Sequence, residues 1–156
     1  MEDIIKQISS AKKKRLFWKK PVYVKHADVS LDKIRNLENQ LGIKLPEDLQ
    51  TWLLSMGFGI INKCLYLDDK WFHVLEEDAG LLDGFVLFAQ DDLGNHLAFN
   101  PNDEESNKIY YISHDPPGFA IVSESFHQFI KKFVNHEYEM EALINPLEFK
   151  DFGGNG

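Results

Sequence analysis

The segment LGIKLPEDLQTWLLSMGFG at residues 41–59 constrains the fold most, because it ends one helix and contains the whole of the next. Leu45 and Pro46 begin that second helix, where the missing N–H of Pro46 costs nothing and the acidic residues that follow face the positive end of the helix dipole. One apolar stripe with helical spacing follows: Leu49, Trp52, Leu53 and Met56. Gly57 predicts a left-handed stop. A core helix over residues 45–56 is therefore expected.

Another helix precedes this one, with Ser30 as its N-cap and Gly42 as its C-terminal stop. Its buried stripe is expected to be Leu31, Ile34, Leu37 and Leu41. Two successive helices of this kind can read DNA, but a recognition helix needs basic or amide side chains on its outer face. The second helix offers Glu47, Asp48 and Gln50 there, so DNA reading is not expected.

After Gly57 the sequence changes to short aromatic and β-branched segments separated by acidic turns, which is typical of strands. We expect strands near residues 60–61, 64–67, 71–75, 85–89, 96–99 and 108–112. The apolar run at 85–89 predicts a central strand buried on both faces. Ser123 is expected to cap a last helix with a strongly apolar face. The pattern predicts one α+β domain with a largely antiparallel central sheet packed by N-terminal and C-terminal helices.

The chain divides into three parts on this interpretation. Residues 1–29 form a basic helix or arm and a connector, residues 30–150 form the domain, and residues 151–156 form a flexible tail. The basic run at 12–15, followed by Phe17 and Trp18, could clamp RNA or an anionic surface. A solvated helix end with packed aromatic residues is the preferred interpretation.

Composition favours a cytosolic setting. The chain has a single cysteine, Cys64, which excludes an internal disulfide framework, and its apolar pattern leads us to expect neither a secretory signal nor a membrane-spanning helix. Residues 1–25 carry a net charge of +6 and, because the whole chain carries −8, the rest carries −14. Such an acidic body repels nucleic acid and attracts basic protein partners.

Catalytic and metal-binding patterns are weak. Cys64 lies in a predicted strand with no feature to lower its pKa, and no histidine pair has the spacing of a metal site on a helix. His73 beside two glutamates, or His114 beside Asp115, could coordinate an ion, and a small metal-dependent hydrolase is therefore one alternative. We expect no enzyme activity, no cofactor and no metal.

The candidate partner-binding residues are acidic and lie in three turns: Asp68, Asp69, Asp91, Asp92, Asp103, Glu104 and Glu105. Runs of this kind are usually solvated turns. Several of them on one strand-rich body could also form a surface for a basic partner, which requires no catalysis.

Three stretches together resemble one known family: the segment at 41–59, FVLFAQDDLGNHLAFNP at 85–101 and FAIVSESFHQFIKKFV at 119–134. Their order and spacing over roughly residues 30–134 are similar to the SUKH superfamily. Its bacterial members are mostly immunity proteins of polymorphic toxin systems, and its eukaryotic members include a regulator of cell-wall assembly.

The matching motifs are a Leu-Pro helix start, an Asp-x-Gly-Asp-like hairpin and a serine-headed last helix: Leu45-Pro46, Asp92-Leu93-Gly94-Asn95, and Ser123 and Ser125 before Phe126 and Phe129. Asn95 replaces the family's second aspartate, and the stop at residues 56–59 departs from the Asn-Gly-Gly-like pattern. The resemblance implies a protein-binding α+β domain without a catalytic set. Together with the acidic charge of the chain, it predicts an immunity protein that neutralises a cognate toxin, such as a nuclease, through its acidic surface; a scaffold that regulates an assembly is the alternative.

Overall fold

The computed structural model describes residues 1–13, 21–102, 107–135, 137 and 150. The α-helices found there are α1 (Glu2–Lys13), α2 (Leu31–Leu41), α3 (Glu47–Met56) and α4 (Phe126–Val134). The strands are β1 (Tyr23–Ala27), β2 (Phe58–Ile61), β3 (Leu65–Leu67), β4 (His73–Val74), β5 (Val86–Asp91), β6 (His96–Phe99), β7 (Ile109–His114) and β8 (Pro117–Ser123). Short 3-10 helices span Asp69–Trp71 and Glu77–Leu82.

All of these strands belong to one antiparallel sheet in the order β1-β2-β3-β5-β6-β7-β8. β4 pairs with β5 beyond the end of β3 and so extends the sheet on that side. The β2–β3 hairpin turns on Asn62 and Lys63, whose φ angles are 47° and 68°, as expected of a tight turn that matches the strand twist. The prediction of an α+β domain with an antiparallel sheet is confirmed.

The helices build the main core with one face of the sheet. Trp52 of α3 is fully buried, and its ring meets those of Tyr23 and Phe126 edge-on at 5.6 and 6.1 Å. All four helices contribute buried residues to this cluster. Ala98 belongs instead to a smaller cluster with Phe85, Tyr110 and others on the opposite face, as alternation along the strands requires. The segment at 85–89 is thus covered on both sides, as predicted.

The predicted helix ends are mostly confirmed. The Ser30 hydroxyl accepts a hydrogen bond from the Lys33 N–H at 3.2 Å, and Gly42 is left-handed with a φ of 69°. Leu31 was wrongly placed in the buried stripe, since it is 46% exposed in the first turn of α2, ahead of the buried residues. Gly57 has a positive φ of 80° with an extended ψ of −165°, so it stops α3 without the predicted left-handed turn. Only glycine fits there, because a Cβ atom would lie 2.1 Å from the Ala27 carbonyl oxygen.

Two other predictions are wrong. Ser123 does not cap the last helix: it ends β8, opposite Ile109, and Ser125 is the N-cap, accepting from the Gln128 N–H at 3.2 Å. The strand expected over residues 71–75 is reduced to two residues. Asp68 is the N-cap of the 3-10 helix Asp69–Trp71, and this helical turn takes the place of strand pairing at the start of the expected strand.

Two predictions fall outside the described residues: the aromatic part of the basic arm and the tail at 151–156. The division of the chain into three parts stays a prediction. Among the helices that the structure does describe, none has the length and apolarity needed to cross a bilayer.

Candidate partner-binding site

Strand direction decides which acidic turns lie together. β1, β3, β4 and β8 run in one direction, antiparallel to β5. The residues that follow those strands, and those that precede β5, therefore lie towards the same end of the sheet. The described carboxylates there are Asp28, Asp68, Asp69, Glu76, Asp83 and Glu124. We call this set the acidic end; all of its members are exposed except Asp68, which is half-buried.

The Asp91–Asp92 turn lies at the opposite end, because β5 runs against β3. Asp68 and Asp69 therefore share no surface with Asp92, although the sequence offered them as equivalent candidates. Asp103, Glu104 and Glu105 fall outside the described residues. The predicted partner-binding residues that the structure describes are thus divided between two ends of the sheet.

Asp91 is buried, with 3% of its surface exposed. Its carboxylate accepts hydrogen bonds from the Tyr111 hydroxyl at 2.6 Å and from the Leu93 and Asn95 N–H groups at 2.9 and 2.8 Å. The Asn95 side chain donates to the Tyr111 oxygen at 2.7 Å. Burial, and then the hydrogen bond to Asp91, raise the pKa of Tyr111. Asp91 holds the β5–β6 hairpin together, which leaves Asp92 as the accessible carboxylate of this turn.

His114 belongs to the same network. Its backbone N–H donates to the Asn95 side-chain oxygen at 3.1 Å, and its Nδ1 lies 2.8 Å from that oxygen. The Asp-x-Gly-Asn motif therefore ties two neighbouring hairpins together. Among the residues that the structure describes, no three His, Cys, Asp or Glu side chains are grouped so as to hold a metal ion.

A cleft of about 430 Å³ opens at the acidic end, where β1 leads into α2. Its lining is both acidic and apolar: Ala27, Asp28, Val29, Ser30, Lys33, Phe58, Asp68 and Asp69. Lys33 Nζ lies 2.6 Å from Asp69 Oδ2, and this hydrogen bond holds the pKa of Asp69 below its usual value. Lys25 Nζ lies 2.5 Å from Asp28 Oδ1, and this hydrogen bond likewise holds the pKa of Asp28 below its usual value. Asp28 was not predicted as a site residue, because a single aspartate in a connector has no local sequence pattern that marks it as part of a binding surface.

Cys64 follows the β2–β3 turn and is half-buried. Burial, and then the charges of Asp92 and Asp91, raise the pKa of its thiol to about 11. The thiolate is the reactive form, so the residue does not resemble an activated nucleophile.

We therefore expect Cys64 to react slowly with iodoacetamide at pH 8. The rise from 9.0 to about 11 lowers the thiolate fraction roughly a hundredfold. The same chain unfolded in urea is the control, because it restores the ordinary thiol. Equal alkylation rates in the folded and unfolded chain would contradict the assignment.

The chain matches a known protein family. The family model described as SMI1 / KNR4 family (SUKH-1) matches residues 28–132, two thirds of the chain. The matched region runs from the cleft to α4 and includes the acidic end and the Asp91 network. No curated protein and no solved structure matches the chain.

Proposed function

Because the chain belongs to the SMI1/KNR4 family (SUKH-1), we propose that it is a non-catalytic protein-binding domain that neutralises a cognate bacterial toxin. The partner is a basic toxin domain, and the acidic end is the surface that meets it. The observation that carries this proposal is the convergence of five exposed carboxylates and Asp68 at one end of the sheet.

Charge supports this choice of surface. The chain carries −8 in total, and residues after 25 carry −14. Lysines also lie at the acidic end, namely Lys25, Lys33, Lys70 and Lys108, but the described carboxylates outnumber them. A negative surface accelerates encounter with a cationic partner and repels the nucleic acid that a nuclease would otherwise bind.

The mechanism that follows is steric and electrostatic blocking. A toxin that acts on nucleic acid needs a cationic groove for phosphates. Carboxylates placed on that groove pair with the cationic side chains that would otherwise bind phosphates, and so they exclude the substrate without any reaction. Inhibition of this kind requires no cofactor, no metal and no nucleophile on this chain.

Co-expression tests the proposal. The polymorphic toxin domain encoded beside this gene should stop bacterial growth alone and should be tolerated when this chain is produced with it. A variant with unaltered folding but reversed charge at Asp69, Asp83 and Glu124 should fail to protect. Absence of a toxin gene from the neighbourhood, or a toxin that stays lethal beside the wild-type chain, would reject immunity in favour of a scaffold that regulates an assembly.

A further inference from the structure

The cleft at the acidic end has the chemistry of a receptor for one cationic side chain. We propose that it binds an arginine side chain of the partner protein, in contact with Asp68 and Asp69. This inference rests on the proposed function, because it names the residue type that the partner presents to the acidic end. The contact of this arginine with the cleft would then be the most specific contact between the acidic end and the partner.

The charge of the cleft selects a cation. Three aspartates line it, namely Asp28, Asp68 and Asp69, together with Lys33. Lys25 forms an ion pair with Asp28 and Lys33 forms one with Asp69, so two of the three carboxylates already have a cationic partner. Among the described residues Asp68 has no ion-pair partner; it accepts a long hydrogen bond from the Lys70 N–H, at 3.4 Å, and its carboxyl group interacts with that of Asp69. The N-terminus of α2 borders the cleft, but the Ser30 hydroxyl caps it and Asp32 lies in its first turn, which offsets its partial positive charge.

Lys33 occupies the place that the incoming cation would take. Its ammonium group lies 2.6 Å from Asp69 Oδ2, while both side chains are 45% exposed. An ion pair so open to water contributes little stability, so a partner cation can displace it at small cost. Lys33 can then swing into solvent, since its stem is long and flexible.

Arginine fits the cleft better than lysine. Val29 and Phe58 lie in its wall with 7% and 4% of their surface exposed, so the small part of each that faces the cleft is apolar. A guanidinium is more weakly hydrated than an ammonium and can donate two parallel hydrogen bonds to one carboxylate.

A nuclear magnetic resonance titration of the full chain tests the inference with N-acetyl-arginine-methylamide as the probe. We expect saturable shifts of the backbone amides of Ala27, Val29 and Phe58, and much smaller shifts with the isosteric citrulline analogue, which has no charge. Asp69→Asn should weaken binding about tenfold, the effect of one charge-assisted hydrogen bond. Lys33→Met should strengthen binding of the arginine probe, because the Lys33 ammonium group then no longer competes for the Asp69 carboxylate.

Asp92→Asn is the matched control, since it removes a carboxylate from the opposite end of the sheet. Thermal unfolding of every variant shows that the fold is retained. Equal shifts with the arginine and citrulline probes, or unchanged binding in Asp69→Asn, would overturn the cleft assignment. That result would leave the proposed function standing if reversal of Asp83 and Glu124 still abolished protection from the toxin, so the two failures are distinguishable.

Discussion

Trp52→Ala should lower the free energy of unfolding by about 3–5 kcal/mol, the range for removing a large aromatic residue from a core. Trp52 is fully buried, and both of its edge-on ring partners, Tyr23 and Phe126, would lose contact area. Tyr23 belongs to β1 and Phe126 begins α4, so the residue joins distant parts of the chain. Urea denaturation followed by circular dichroism measures the loss.

Leu54→Ala is the control for this prediction. Leu54 lies in the same helix but is 46% exposed, so its removal should change stability by less than about 0.5 kcal/mol. If Trp52→Ala left stability intact and abolished partner binding, the stripe of α3 would be an interface and not a core.

Asp91→Ala should cost about 3 kcal/mol or more, since each buried polar group left unpaired costs roughly 1–3 kcal/mol. The groups affected are the Tyr111 hydroxyl and the N–H groups of Leu93 and Asn95, all of which donate to this carboxylate. The loss should be accompanied by loosening of the β5–β6 hairpin, visible as faster amide hydrogen exchange at Asn95 and His114.

The neighbouring Asp92→Ala provides the comparison, because Asp92 is exposed at the tip of the same turn. Its effect on unfolding should stay within about 0.5 kcal/mol. Equal losses for the two variants would mean that the buried network does not stabilise the hairpin.

The helices and most strands could be predicted because their signals are local. The stripe of α3, the cap at Ser30 and the glycine stop at Gly42 each depend on a few adjacent residues. β8 is absent from the predicted strands because the sequence Pro116-Pro117-Gly118 is typical of a turn. In the structure Pro117 is the first residue of the strand, where a missing N–H is tolerated. Because β8 was not predicted, its last residue, Ser123, was wrongly assigned as the cap of the last helix.

The candidate site was predictable only in part. Sequence could show that the turns are acidic, but not at which end of the sheet each one lies, because that depends on strand pairing between distant segments. Asp68 and Asp69 line the cleft, whereas Asp91 is buried and accepts a hydrogen bond from the Tyr111 hydroxyl. Asp28 joins the cleft only because β1 pairs with β2 and so lies near β3. Long-range topology, which has no local signature, decided these outcomes.

The affinity of the chain for its cognate toxin domain, measured by calorimetry at two salt concentrations, tests the acidic end most directly. The variant Asp69→Lys, Asp83→Lys, Glu124→Lys should bind at least about tenfold more weakly than wild type, with a smaller dependence on salt because fewer charge pairs remain. Asp92→Lys, at the opposite end, should bind like wild type. Unchanged affinity in the triple variant, together with loss of binding in Asp92→Lys, would contradict the account.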